Sequence, residues 1–218
     1  MTRSVVIRSV VSTLVLLVLL SATACMYVKW QAHHTRENAE AILQQLRQMR
    51  VGVTTDEEVR RLADSQSRFL VKGIDPFCQD KFCTYSFTYD TSVLDKLAFW
   101  RISPWRVYLT PAQGVFVADV IVKSGYLVRI RMLLTSGVIP REISANVEDN
   151  VPEISPIPTP YAYNIQPSRS SNHEWHVSVY LTPNSTVAQR DAAYSLNLEC
   201  IERIGGCRDP KELLPDGH

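Results

Sequence analysis

Hydrophobic and polar positions divide the chain into an apolar run, a helical pattern and a series of strand patterns. The apolar run, residues 9–28, has no charged residue and lies between Arg8 and Lys29. Because a helix rises about 1.5 Å per residue, roughly 20 apolar residues cross a hydrocarbon core about 30 Å thick. The run therefore predicts a single transmembrane helix that acts as a signal anchor and follows a short basic N-terminal segment, residues 1–8.

The same stretch allows two other interpretations, both of which involve a cut near Cys25. Ala22-Thr23-Ala24 is an A-x-A type site, which would give a cleaved, secreted protein. Ala-Thr-Ala-Cys also resembles an incomplete lipobox, which would make Cys25 a lipidated residue. The apolar run nevertheless continues to Val28 and ends at Lys29-Trp30, a basic and aromatic pair typical of the membrane interface. This continuity favours an uncleaved anchor.

After the apolar run, hydrophobic residues recur at the spacing of one helical face, i, i+3, i+4, i+7 and i+10. This pattern predicts a juxtamembrane stalk helix within residues 29–53, ended by Gly52. Its apolar stripe would either pack on the following domain or pair with a second copy of the chain, and we favour packing. The stripe consists of Ala39, Ile42, Leu43, Leu46 and Met49.

Thr54 and Glu57 predict the start of a second helix, because a threonine followed three residues later by a glutamate can form a capping box. With Gly52 and Val59 they make the pattern G-x-T-x-x-E-x-V. Over about residues 43–62 this arrangement resembles the helical pair that opens small bacterial exported domains of the SmpA/OmlA type. The resemblance implies architecture alone, since the Gly-x-Pro that follows the second helix in that family is missing and no functional residue is carried over.

From Phe82 onwards the hydrophobic period changes to two, which indicates strands with one buried and one exposed face. Ser124-Gly125 predicts a tight hairpin, and Arg129 and Arg131 mark an exposed side. We therefore predict an α+β fold, in which two helices pack on an antiparallel sheet of five or six strands within an extracytoplasmic domain, residues 54–208. The predicted strands cover residues 82–89, 105–110, 115–123, 126–134, 177–181 and 194–200.

Two segments are predicted to lie outside this sheet. Residues 138–167 are rich in proline, which cannot donate to a strand ladder and disfavours helix at the preceding residue. This predicts an extended surface connector, with a proline-rich partner motif as the alternative. Residues 209–218 are predicted to form a polar tail.

Four cysteines lie beyond the apolar run in two close pairs, Cys78 with Cys83 and Cys200 with Cys207. In an oxidising compartment such pairs predict two disulfides, although the sequence leaves three connectivities open. Buried free thiols and a four-cysteine zinc site are the alternatives, and the wider gap between Cys200 and Cys207 fits zinc knuckles poorly. Disulfides also favour a domain outside the cytoplasm, with the N-terminus inside.

Composition and motifs narrow the possible functions. The net charge of +1 is spread over interspersed acidic and basic residues, so the chain has no basic field for nucleic acid. It contains no phosphate loop, no G-x-S-x-G motif and no dinucleotide fingerprint, and neither a cofactor nor a small-molecule ligand is indicated. The roughly 190 residues after the anchor are enough for one domain.

The histidines are the candidate residues for a metal site or a pH response. His173 and His176 are close in sequence, but in a strand they face opposite sides, so we predict no metal. His33 and His34 lie beside the predicted membrane surface, where they either respond to pH or are simply solvated.

Phe99, Trp100 and Trp105 form an aromatic cluster that would anchor an interface if exposed and belong to the core if buried. Taken together, the patterns favour a non-catalytic module that holds a protein or another envelope component near the membrane. Its expected partners are the membrane and envelope proteins. The competing class is an exported hydrolase or thiol-dependent enzyme, which would need a reactive cysteine beside a histidine.

Overall fold

The computed structural model describes residues 3–71, 77–79, 82–91, 114–138, 141–150, 161–167, 175–203, 206–207 and 209–214. It confirms the α+β class. The helices are α1 (Arg3–Gln48), α2 (Asp56–Ser65), α3 (Val187–Ala193), the 3₁₀ helix η1 (Leu198–Ile201) and α4 (Pro210–Leu213). The strands are β1 (Phe77–Gln79), β2 (Phe82–Asp90), β3 (Val115–Lys123), β4 (Tyr126–Val138), β5 (Arg141–Asn150), β6 (Tyr161–Pro167) and β7 (Trp175–Leu181). The strand predicted at residues 105–110 lies outside the described residues.

Helix α1 joins the apolar run and the predicted stalk into one continuous helix. Its apolar part is long enough to cross a membrane and is not buried by the rest of the protein. From Val28 onwards one stripe of α1 is buried in the domain, so the apolar face of the stalk is a packing surface. The buried residues of this stripe are Val28, Ala32, Thr35, Ala39, Ile42, Leu43 and Leu46.

The turn after α1 contains Gly52, as predicted, but the cap of α2 lies one residue later than predicted. Gly52 has a φ of +83°, a conformation that glycine adopts without strain. Thr55 caps α2, because its N–H donates to the Glu58 carboxylate over 2.8 Å and its hydroxyl accepts the Glu58 N–H. Thr54 instead accepts a backbone N–H within the turn. Consecutive threonines and glutamates offer the same spacing twice, so the local pattern does not select between them.

The strands form one sheet in the order β1-β2-β3-β4-β5-β7-β6. The sheet is mixed, because β5 and β7 are parallel and the other pairs are antiparallel. The sequence pattern predicts a purely antiparallel sheet of five or six strands. The parallel pair arises because the chain passes from β5 to the edge, runs back as β6 and then fills the intervening position as β7. The predicted hairpin at Ser124-Gly125 is confirmed, with φ angles of +52° and +88° that suit a type I′ turn.

The segment predicted as a connector, residues 138–167, contains two strands, which corrects that prediction. β5 lies inside the sheet between β4 and β7, and β6 is an edge strand. Ile143, Ala145 and Val147 are buried and alternate with polar residues, which is the period of a strand. A proline removes a strand hydrogen bond only at its own position. The prolines after residue 150 therefore do not prevent residues 141–150 from forming β5.

The predicted strand at residues 194–200 and the predicted polar tail are also corrected. Buried residues alternate through 194–200, but Asn197 caps η1 by accepting the N–H of Glu199 over 3.2 Å. In the tail, Asp209 caps α4, and Leu213 and Leu214 are fully buried. Packing against distant residues buries both segments, so alternation through 194–200 does not require a strand and the polar composition of the tail does not require exposure.

Helix α1 and strand β4 are connected at both ends of the domain, at one end by the turn after α1 and at the other through η1. At one end, the N–H of Gly52 donates to the carbonyl of Leu127 over 2.7 Å. At the other end, Arg36 lies 2.7 Å from the carboxylate of Glu202, just after η1, and η1 is bonded to Ser136 late in β4. The Ser136 end of the sheet is therefore the end nearer the apolar run.

Candidate functional site

The four cysteines of the domain form two local pairs. Cys78 and Cys83 are cross-strand neighbours on β1 and β2, and Cys200 and Cys207 close the loop after η1. This selects one of the three connectivities that the sequence leaves open. All five cysteines lie in the described part of the chain, and Cys25, exposed on the apolar part of α1, is the free one. In this oxidised state none of the four domain cysteines is a free thiol.

The end of the domain nearest the apolar run carries charged and aromatic side chains. His33 and Arg36 of α1 lie 3.3 and 2.7 Å from the Glu202 carboxylate. Trp30 is exposed and stacks on His34, with ring centroids 5.8 Å apart. Exposed tryptophan and basic residues are typical of a helix that leaves a membrane at this level.

The sheet has a covered face, which packs on α1 and α2, and an outer face, which points away from these helices. Residues directly opposite each other on neighbouring strands lie on the same face. The strand register therefore brings polar side chains of five strands into one row on the outer face. This row consists of Ser86, Asp119, Arg131, Glu148 and Tyr180.

In this row both acids have a side-chain partner, whereas Arg131 has no ion-pair partner among the described residues. The Asp119 carboxylate accepts a hydroxyl from the neighbouring strand, and the Glu148 carboxylate contacts the Arg129 guanidinium. Arg131 stands between these two acids, is exposed, and donates one hydrogen bond from Nε to Asn146 Oδ1 over 3.4 Å. Among the described residues, no carboxylate forms an ion pair with Arg131. Its two terminal Nη groups are thus available to a ligand.

Arg131 borders a groove of about 360 Å³ on the outer face. The groove extends from Arg131 along β4 towards the end of the sheet nearer the apolar run. It combines a guanidinium, an imidazole, an amide and hydroxyls with aliphatic side chains. Its lining includes Arg131, Leu133, Ser144, Asn146, His176 and Ser178.

Ser144 and His176 face each other across β5 and β7, and the serine hydroxyl contacts Nδ1 of the imidazole. A hydroxyl beside a base is the minimum for a serine nucleophile, but acyl transfer also needs donors for the developing oxyanion. Because β5 is paired on both sides, its backbone N–H groups are used in the ladders. Within the described residues, no carboxylate contacts the His176 ring to orient it. The pair is better suited to binding than to catalysis.

A second cleft, of about 390 Å³, lies where the end of α1 meets α2. Its charged side chains are Glu58 and Arg61. Glu58 is already engaged in the cap of α2: the N–H of Thr55 donates to its carboxylate and lowers the pKa of Glu58. The charges of Glu58 and Arg61 are opposite, and Glu58 already stabilises the helix cap. This cleft therefore has fewer free polar groups for a ligand than the groove on the outer face.

Beneath the covered face, a buried ion pair joins β5 to α3. The Arg190 guanidinium contacts the Asp149 carboxylate and donates to the Thr182 carbonyl over 2.6 Å. Burial raises the pKa of Asp149, and the adjacent Arg190 opposes that rise. Burial also raises the pKa of the neighbouring Tyr194. Since Asp149 is fully buried and Arg190 nearly so, the pair is part of the fold and not of a ligand site.

The structure brings the four predicted disulfide cysteines together in pairs, but it does not test the predicted aromatic interface. Phe99, Trp100 and Trp105 lie outside the described residues, as does His173. His176 is exposed on the outer face, and no three His, Cys, Asp or Glu side chains within the described ranges converge as a metal site requires.

Sequence reasoning missed Ser144, Asn146 and Ser178 as groove residues. The signal that could have found two of them is the alternation of apolar and polar residues through 143–148, which the abundance of proline in the surrounding segment obscured.

These features define a class: an α+β domain with a mixed sheet, carried on a helix that is long and apolar enough to cross a membrane. No family model, curated protein or solved structure matches the chain. The resemblance of residues 43–62 to domains of the SmpA/OmlA type stays a prediction.

Proposed function

We propose that the protein is a single-pass membrane protein whose α+β domain lies outside the cytoplasm and acts as a non-catalytic binding module close to the membrane surface. The observation that carries this proposal is the continuity of α1, which runs from the apolar run into the domain and has one stripe buried there from Val28 onwards. A flexible linker would let a domain sample a wide volume. A continuous helix instead holds it at a fixed height.

That height is small. Arg36 lies only seven residues beyond Lys29, which corresponds to about 10 Å along a helix, and it contacts Glu202 on the domain. The η1 loop therefore lies near the headgroups. The exposed Trp30 supports this depth, because tryptophan prefers the interface.

The cysteine pairs support the extracytoplasmic side. Disulfides persist in oxidising compartments and are rare in the cytosol, and both pairs of the domain are at disulfide distance. An anchor with its N-terminus in the cytoplasm puts the domain in such a compartment.

The experiment is cysteine labelling of the full chain in cells, with spheroplasts where an outer membrane is present. In a Cys25→Ser background, Gln44→Cys puts one reporter on the exposed side of α1, and Thr2→Cys puts another at the N-terminus. A membrane-impermeant maleimide should label the reporter at position 44 in intact cells and the one at position 2 only after permeabilisation. The reverse pattern would contradict the proposed orientation.

Cleavage or lipidation at Cys25 is the alternative form of the same proposal. Val28 begins the buried stripe of α1, so a cut before Cys25 would leave the packing of the domain unchanged. The intact mass of the mature chain distinguishes the three forms: an anchor retains residues 1–24, a secreted form lacks them, and a lipoprotein lacks them and carries acyl groups on Cys25.

The competing class is an exported hydrolase, favoured by the contact between Ser144 and His176. The ladders on both sides of β5 argue against it, because they leave no free backbone donors beside Ser144. Loss of hydrolysis of an ester or amide substrate in Ser144→Ala, with retained folding, would establish the hydrolase and displace the binding module.

A further inference from the structure

We propose that the groove on the outer face binds a short peptide through its free C-terminal carboxylate, with Arg131 as the anion-binding residue. This deepens the proposed function by naming the ligand of the binding module. The proposal rests on the pairing of charges around the groove, on the chemistry of its lining and on its size.

Arg131 has free donors because the acids beside it contact other residues. Its two neighbours across the strands are Asp119 and Glu148, and either could neutralise it. Asp119 instead accepts the Ser86 hydroxyl, and Glu148 contacts Arg129. Glu148 is thus neutralised by Arg129, and Asp119, which keeps its charge, is held by a hydroxyl and forms no ion pair with Arg131 in the described part of the chain.

The remaining bond of Arg131 orients it for a ligand. Nε donates to Asn146 Oδ1 over 3.4 Å, which leaves the two Nη groups of the guanidinium at its far end. Arginine presents these donors in a planar fork that matches a carboxylate. The Asn146 amide, whose oxygen is engaged, keeps its N–H donors for the carbonyl of the peptide group that precedes the carboxylate.

The charge of the groove selects a monoanion. Arg131 is the single arginine or lysine in the described lining, which suits one carboxylate better than a phosphate dianion or a polyanion. The other polar groups are neutral hydrogen-bonding partners: the hydroxyls of Ser144 and Ser178 and the imidazole of His176. These are partners for peptide amides, and Leu133 offers apolar contact for a side chain.

The size of the groove limits the ligand. Its volume of about 360 Å³ is at the lower end of small-ligand sites, which span roughly 300–1,000 Å³. Arg131 and Thr135, both in the lining, are four residues apart on β4, or about 13 Å at the rise of a strand. About four extended residues span that length, so a segment of two to four residues fits within it, and we assign the carboxylate to Arg131 and the preceding residues to the Ser144 and His176 end.

The test uses the full chain in detergent micelles and ligand-observed saturation-transfer NMR with N-acetyl-Ala-Ala, N-acetyl-Ala-Leu and N-acetyl-Ala-Phe. At least one free acid should bind, and its methyl ester should bind about ten- to a hundred-fold more weakly, the range expected for hydrogen bonds to a charged group. Arg131→Gln should weaken the acid by the same factor, and Arg131→Lys should weaken it less because charge remains without the fork.

Arg68→Gln is the matched control, because Arg68 is an exposed arginine in the turn after α2, away from the groove. This variant should bind the acids like the wild type. Arg131→Gln should melt at the wild-type temperature because Arg131 is exposed. Acids and esters that bind equally, no binding by any of the three acids, or inorganic phosphate that displaces them would each overturn the proposal. A domain that is labelled outside the cytoplasm but binds no peptide would refute this inference alone, whereas a peptide-binding domain labelled inside would refute the proposed location alone.

Discussion

Ser136 donates a hydrogen bond from Oγ to the carbonyl of Cys200 over 2.8 Å, and the same oxygen accepts the N–H of Cys207 over 3.3 Å. One buried hydroxyl on β4 therefore joins both ends of the disulfide loop to the sheet. The loop continues to Glu202, which contacts α1 at Arg36. The sheet, the disulfide loop and α1 are thus connected through adjacent contacts.

Ser136→Ala should lower the free energy of unfolding by about 1–3 kcal/mol, because it leaves the Cys200 carbonyl and the Cys207 N–H buried without this partner. Chemical denaturation of the full chain in micelles measures the loss. Thr135→Ala, at the neighbouring, half-buried position of the same strand, is the control and should have a smaller effect. Equal losses would contradict the bridging role of Ser136.

Removing the two disulfides should have unequal effects. Both loops are short, and loop closure alone predicts about 2–2.5 kcal/mol for each. Cys200 and Cys207 are also buried, whereas Cys78 is exposed, so replacing the buried pair by alanine should cost about 1–2 kcal/mol more. Denaturation of the two double variants measures the difference. A larger loss for the Cys78 and Cys83 pair would contradict the burial argument.

The buried pair of Asp149 and Arg190 should tolerate joint replacement better than the loss of one partner. Arg190→Met leaves a buried carboxylate without its cation and should lower the free energy of unfolding by about 3–5 kcal/mol. The double variant Asp149→Leu with Arg190→Met should recover a substantial part of that loss, because no unpaired charge remains. A double variant as unstable as the sum of both single variants would show that the two residues act independently.

The cap of α2 should show a defined pH dependence. The Thr55 N–H and hydroxyl lower the pKa of Glu58 in the folded protein, so ionised Glu58 stabilises the fold above its unfolded pKa of about 4.3. That contribution is lost as the pH falls through the lower, folded value. The difference in melting temperature between wild type and Glu58→Gln should therefore be full near pH 7 and shrink below about pH 4.3.

Glu57→Gln serves as the control, because the side chain of Glu57 is exposed and forms no hydrogen bond or ion pair with any described residue. At pH 7 its difference in melting temperature from wild type should be smaller than that of Glu58→Gln. A Glu58→Gln difference that grows as the pH falls would reverse the sign worked out here.

The packing of α1 on the domain predicts a contrast between its two sides. Ile42 is fully buried, so Ile42→Ala should lower the free energy of unfolding by about 2–5 kcal/mol. Gln44 is exposed two residues later, and Gln44→Ala should change it by less than about 0.5 kcal/mol. Similar small effects at both positions would indicate that α1 does not pack on the domain in solution.

Prediction from sequence succeeded where a local pattern suffices. The uncharged run, the helical stripe through Ile42 and Leu46, and the alternation from Tyr85 to Tyr89 each specify an element by its own period. It failed where a local pattern fits two outcomes: Thr54 and Thr55 both offer a capping box, and residues 194–200 alternate like a strand while forming a cap and η1.

The groove on the outer face could not be predicted from the sequence, for a different reason. Arg131, Ser144 and His176 come from three strands, and they meet only because β7 enters the sheet beside β5 in parallel register. Arg129 and Arg131 have the same local pattern. Only the cross-strand contact of Arg129 with Glu148 makes them different.

The sequence by itself determined the elements whose energetics are local: an apolar helix of membrane-spanning length, its continuation as an amphipathic stalk, the turn at Gly52 and the hairpin at Ser124-Gly125. Tertiary structure decided which cysteines pair, where β5 and β7 lie, and which arginine keeps free donors. These depend on residues far apart in the chain that are brought together by packing. No period or spacing within a short window can encode such contacts.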